Sequence, residues 1–392
     1  MLPRRRPLLS VVLPLLLAPV LALAQTYFPP RGEWAHREPA DVGMDASKLQ
    51  QAIDFSVAHE NPHTKDLAQE LKETFGAHEP MWRLLGPAQP RGGMTGLVIR
   101  HGYVVAQWGD PDRVDMTHSV TKTFLTTLVG LAWQRGMIHD LGDHPKDVAP
   151  LAKLFAGPHN AAITWEHLLR QTSDWSGTLW DIPDWADRPV GATPAAQQER
   201  AMHEAGTFYK YNDVRVNLLA LATLHVWQRP LPEVLREEVM NPIGASTTWH
   251  WEGYDNSWVE IGGKRMQSVS GGGHFGGGMF INAWDMARFG YLFLHRGTWD
   301  GREIVPEKWI TLARSPGPAN PNYGFANWFL NTGRKSWPAA PASAVIFEGN
   351  GTNIVYLDWQ NDLVVVTRWI DGKSIDEFLG KVLGAINPVA PH

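Results

Sequence analysis

Apolar and polar positions change rhythm twice along the chain. Behind Asp45, Leu49, Ala52, Ile53 and Val57 recur at helical spacing, with Asp45 placed as the cap. Leu97-Val-Ile-Arg100 and Tyr103-Val-Val-Ala-Gln-Trp108 flank His101-Gly102 as the two strands of a hairpin. A helix is predicted from about Val120 to Gln134, stopping at Gly136. Between about 140 and 290, short helical patterns alternate with loops rich in Gly, Pro and Trp, and Asn282 caps a helix carrying Met286, Phe289 and Phe293. Strands then return: Ala344-Val-Ile-Phe347, Asn353-Ile-Val-Tyr-Leu357 and Leu363-Val-Val-Val-Thr367, the last two joined by a turn at Gln360-Asn361-Asp362. Ser374-Ile-Asp-Glu377 reads as a capping box opening a terminal helix. Strands at both ends around a helical middle predict an α+β fold. One sheet is built from about 40–110 and 295–392, and a helical part of about 111–294 is inserted between them.

Residues 1–24 stand apart from this pattern. Arg4, Arg5 and Arg6 precede an apolar run ending in Ala22-Leu23-Ala24, the pattern of a signal peptide cleaved between Ala24 and Gln25. Pro14 and Pro19 interrupt the run, which is short for a membrane span, and Gln25 offers no thiol for lipid attachment. The mature protein is therefore expected in the periplasm or outside the cell, without a membrane anchor. With 392 residues, 44% of them hydrophobic, the chain can bury a large core. A net charge of −5 argues against a broad nucleic-acid surface. The absence of Cys removes disulfides, thiolate nucleophiles and Cys–zinc sites. The 19 Trp point to an aromatic-lined pocket as well as a core. Nothing in the pattern bears on oligomeric state.

Four motifs could carry chemistry, and two of them are decoys. His59-Glu-Asn-Pro-His63 has the letters of a zinc-protease motif, but Pro62 ends the helix that would align its histidines. Gly271-Gly-Gly-His-Phe-Gly276 matches a nucleotide-binding pattern without the strand and helix that such a loop needs. Ser119-Val-Thr-Lys122 is more informative. At i and i+3 on a helix, the Lys amine sits beside the Ser hydroxyl, and burial that lowers the amine pKa lets it assist the nucleophile. Tyr211-Asn212-Asp213 supplies a phenol that a nearby ammonium would acidify.

In order, these pieces resemble the serine β-lactamase and penicillin-binding-protein superfamily, in its class C-like branch of esterases, D-amino-acid peptidases and nylon-oligomer hydrolases. The resemblance rests on Ser119-Val-Thr-Lys-Thr-Phe124, Leu168-Leu-Arg-Gln-Thr-Ser173, Gly206 through Ala220, and Gly277 through Gly290. It implies a β-lactamase/transpeptidase-like fold, an antiparallel sheet flanked by helices with a mostly helical inserted subdomain. It implies an acyl-enzyme on Ser119 activated by Lys122 and Tyr211, with no metal or cofactor. The third motif falls at Phe347-Glu348-Gly349, so the oxyanion hole would use the N–H groups of Ser119 and Asn350, with Thr352 as the other register. Asp213 replaces the usual Asn; a carboxylate there favours charged Lys122 and makes Tyr211 the expected proton acceptor. Phe347 replaces a Lys or His that meets substrate carboxylates, which favours ester or amide hydrolysis over penicillin recognition. Trp175, Trp180 and Trp185 are expected to line the cleft beside Phe347 and Gly349. The expected substrate is a small ester or amide. The alternatives are β-lactamase or D-alanyl carboxypeptidase activity, and a catalytically silent binding module of the same fold.

Overall fold

Six strands drawn from the two ends of the chain form one antiparallel sheet in the computed structural model, which describes residues 26–190, 193 and 200–387. The leader expected at 1–24 lies outside the described residues. Helix α1 (Ala46–Ala58) begins where Asp45 accepts a bond from the Lys48 N–H, and α2 (Leu67–Thr74) follows. The hairpin of β1 (Thr95–Arg100) and β2 (Tyr103–Trp108) turns at His101-Gly102, and β3 (Asp115–Met116) leads into helix α3 (Thr121–Gln134). Helix α4 (Asp213–Trp227) is followed by strands β4 (His250–Ile261), β5 (Lys264–Val269) and β6 (Gly278–Ile281). Helix α5 (Ala283–Leu294) is capped by Asn282, and β7 (Phe329–Leu330), β8 (Val345–Gly349), β9 (Asn353–Asp358) and β10 (Leu363–Arg368) precede helix α6 (Ile375–Gly384).

The large sheet runs β7-β8-β9-β10-β1-β2, so the first hairpin docks against the last strand, Leu97 opposite Val366. Alternation along these strands feeds two cores. Leu97, Ile99, Val355 and Val364 face the inserted part, while Val98, Ile346, Ile354 and Val365 face α1 and α6. Both faces are covered, which is why the strands read as unbroken apolar runs. Gly290 lets α5 lie directly on the sheet; a Cβ there would sit 2.5 Å from Val355 Cγ1.

Three local expectations differ from the structure. Val57 is 54% exposed, because α1 buries only a narrow stripe around Leu49 and Ala52. The Ser374 capping box does not form; a short turn held by Asp371, which accepts from the Lys373 N–H, introduces α6 instead. The inserted middle is not purely helical, since it carries a second sheet ordered β3-β6-β4-β5. Trp251, Gly253 and Trp258, which read as loop residues, are positions of β4, which pairs with β5 in a hairpin and with β6 about 30 residues on.

Candidate active site

The turn entering α3 sets the geometry. His118 takes a left-handed conformation (φ +47°) and Ser119 stands in a short 3-10 turn, so its hydroxyl leaves the helix just ahead of the first full turn. One turn on, Lys122 is fully buried with Nζ 2.7 Å from Ser119 Oγ. The end of β8 presses on this turn. A Cβ at Gly349 would lie 2.1 Å from Thr117 O and 3.0 Å from Ser119 N, so only a glycine lets the strand approach.

The start of α4 supplies the second half. Asn212 is the helix cap, accepting from the Arg215 N–H, while its own N–H is held by Gln171 Oε1 at 2.9 Å. Tyr211, just before the cap, points its hydroxyl to Ser119, and its ring lies 4.6 Å below Lys122 Nζ. Asp213, just after it, places its carboxylate in the first turn, where the helix dipole favours an anion. Its Oδ1 accepts from Lys122 at 2.6 Å and its Oδ2 from Arg188 at 2.8 Å. Arg188 also reaches Asp187 Oδ1 at 2.6 Å, and Asp187 accepts from the Asp213 N–H.

This arrangement sorts the protons. Burial pulls Lys122 below the ordinary lysine value, Arg188 adds to that, and Asp213 offsets part of it. Asp213 stays well below the usual carboxylate range because Lys122 and Arg188 outweigh its desolvation. Burial drives the Tyr211 phenol well above its ordinary value, and the Asp213 and Glu348 carboxylates push it further. These directions run against the expectation that Tyr211 gives up its proton first: burial weakens the amine's hold on its proton and strengthens the phenol's. His118, buried, falls to about 3 and is neutral.

A cavity of about 450 Å³ opens onto Ser119. Gly349, Asn350 and Thr352 line it, as do Phe75, Tyr209, Tyr211 and Phe329. The expected tryptophans do not. Trp175 is buried in the core, its Nε1 donating to Leu154 O at 2.7 Å, and Trp180 and Trp185 pack against the same core. Phe347 is also absent from the cavity. Strand alternation turns it inward against Phe293 and Trp328 and leaves Glu348 on the cavity wall. The aromatic wall exists, but other elements build it.

Residues 67–367 match the family model described as Beta-lactamase. The chain belongs to that family. No curated protein matches it in sequence. Among solved structures it is similar in fold to EstCE1, a hydrolase with promiscuous acyltransferase activity (15% identity, 87% of this chain and 98% of that chain, TM-score 0.55). A family VIII carboxylesterase shares 14% identity over 88% of this chain and 99% of its own, at TM-score 0.56. A penicillin-binding protein homologue from Caulobacter crescentus shares 16% over 82% and 98%, at TM-score 0.53. The antiparallel sheet with its helical insertion is thus the fold of this hydrolase family.

Set in that fold, several site residues carry no sequence signal. Arg188 and Asp187 are neighbours in the chain and look like a surface ion pair. Only the approach of α4 makes them the outer partners of Asp213. His274 Nε2 donates to Glu79 Oε2 at 2.7 Å, and Glu79 also accepts from the Arg188 N–H. The stretch after α2 is therefore a wall of the cleft, with Trp82 bonded to His274 O and Asn350 Nδ2 bonded to Glu70. Ligand atoms of Glu79, Asp187 and His274 lie within 4.8 Å of one another and could be drawn onto one cation, although protein donors already engage both carboxylates. The zinc-like letters at His59–His63 are not on one helix, since α1 ends at Ala58.

The glycine run at 271–276 proves to be part of the site. A Cβ on Gly272 would stand 1.9 Å from Asp213 Oδ1 and 2.1 Å from Lys122 Nζ, driving that ion pair apart. Gly272→Ala is expected to lower kcat/KM by about 100-fold while the protein remains folded, as misplacement of about 1 Å does elsewhere. Ester hydrolysis and circular dichroism on the purified variant check this.

Proposed function

We propose that the protein is an exported serine hydrolase that cleaves a small ester or amide through an acyl-enzyme on Ser119. The observation that carries this reading is the placement of Ser119 Oγ at 2.7 Å from a buried Lys122 amine, which itself lies 4.6 Å from the ring of Tyr211 in the wall of the same cavity. In its neutral form Lys122 accepts the Ser119 proton as the hydroxyl oxygen attacks the substrate carbonyl. The carbonyl π electrons move onto oxygen, and the N–H groups of Ser119 and Asn350 receive that charge. The register at Asn350 is favoured over Thr352 because its neighbour Gly349 packs so near the Ser119 turn that a Cβ there would lie 3.0 Å from Ser119 N. Collapse expels the alcohol or amine with a proton from Tyr211, and Lys122 passes its proton to the phenolate. Water then attacks the acyl-enzyme, giving a proton to Lys122, and collapse frees the acid as Ser119 Oγ takes that proton back.

Ester or amide cleavage is favoured over β-lactam recognition because Phe347 lies in the core and offers the cleft no cation. The export reading rests on the sequence of residues 1–24 alone. The test is pre-steady-state hydrolysis of a p-nitrophenyl ester with a fluorophosphonate labelling arm. A burst of p-nitrophenol and an adduct mapped to the Ser119 peptide are expected. Absence of the adduct would leave a silent binding module, and a stable penicillin adduct at Ser119 would favour the penicillin-binding alternative.

A further inference from the structure

The cleft contains a carboxylate that the mechanism does not use. Glu348 lines the same cavity as Ser119, close enough for its charge to act on the Tyr211 phenol. Among the described residues no hydrogen bond or ion pair holds its side chain, whereas Asp213, Asp187 and Glu79 are each bonded to at least one donor. Burial pushes its acid up, as expected for a desolvated carboxyl without a compensating cation. Strand register gives it this position. Phe347 turns into the core, so the next residue faces the cavity.

The charges around it are unbalanced in one direction. Lys122 is matched by Asp213, and Arg188 by Asp187 and Asp213, so neither is free for a substrate anion. Glu70, on the far side of Asn350, is a further carboxylate near this wall. The rings of Tyr209 and Phe329 line the cavity as well, and an aromatic wall with an unpaired carboxylate is a chemical set suited to a cation.

We propose, resting on the hydrolase reading above, that Glu348 determines specificity by pairing with a cationic nitrogen of the substrate, an ammonium group near the scissile ester or amide. Substrates bearing an anion at that place are rejected, because they would meet an unpaired carboxylate in a partly desolvated cleft.

The experiment uses the full chain and p-nitrophenyl esters of matched length ending in trimethylammonium, tert-butyl or sulfonate groups. A second series carries the charge in the alcohol. Wild type is expected to favour the trimethylammonium ester over its neutral match by about 10-fold or more in kcat/KM in at least one series, the scale of a desolvated cation–π contact reinforced by the carboxylate charge. The sulfonate ester falls below both. Glu348→Gln reduces the cation-to-neutral ratio about 10-fold, and Glu348→Lys inverts the order in favour of the sulfonate. Equal rates for the three wild-type esters overturn the proposal. So does a Glu348→Gln variant that slows all three alike, since that assigns Glu348 to the chemistry or the framework. Protein that labels at Ser119 yet shows no charge order loses this inference and keeps the hydrolase reading. Protein that neither labels nor hydrolyses loses both.

Discussion

Ser119→Ala is expected to lower kcat/KM for p-nitrophenyl esters by about 10⁴-fold or more, as removal of a catalytic serine does elsewhere. Substrate binding should change little. The variant deletes one oxygen from a half-buried position where it is bonded to Lys122 and shares the cavity wall with Tyr211. Those two groups lie 4.6 Å apart, amine to ring, and remain held by Asp213 and by core packing, so the fold should survive. The measurement is steady-state kinetics beside a thermal melt. An active, unlabelled Ser119→Ala enzyme would mean that a different group attacks the substrate, and the acyl-enzyme account would fall.

Asp213→Ala is expected to have the largest effect on stability. It strips a fully buried cation, Lys122, and a partly exposed one, Arg188, of a shared partner, and breaking a buried pair from one side costs about 3–5 kcal/mol. Arg188 keeps Asp187, and Lys122 escapes part of the penalty by losing its proton, so the lower end is favoured. Denaturant unfolding reads this directly. The control is the double variant Lys122→Met/Asp213→Leu, which should regain much of the stability while remaining inactive, because no charge is left unpaired. Asp213→Asn tests the chemistry separately. The carboxylate pulls the Lys122 pKa up, so removing its charge lets that pKa fall further below the ordinary value. If neutral Lys122 is the base, the rising limb of kcat/KM with pH moves to lower pH in Asp213→Asn. A limb that stays in place, or moves up, would assign the proton to another group.

Much of the framework was legible because its signals are local. The hairpin at 95–108, the three C-terminal strands and the Asn282 cap each depend on turn chemistry or periodicity within a dozen residues. The second sheet was not legible, since β3 pairs with β6 across more than 160 residues and neither strand has a turn that announces its partner. Ser119 and Lys122 could be named from i, i+3 spacing alone. The tryptophans misled because a residue rich in apolar area is driven into whichever core is nearest, and here that core is not the cleft.

By itself the chain of amino acids determined which groups are available: one Ser–Lys pair at helical spacing, a phenol beside a helix cap, and a carboxylate where relatives usually carry an amide. Tertiary structure alone decided what those groups are worth. It brought β8 and the start of α4 onto the Ser119 turn, closed Arg188 and Asp187 around Asp213, and left Glu348 facing the cavity without a hydrogen-bond or ion-pair partner among the described residues. The reason is physical. Proton affinity depends on desolvation and on charges a few ångströms away, and those distances exist only once segments far apart in sequence have met.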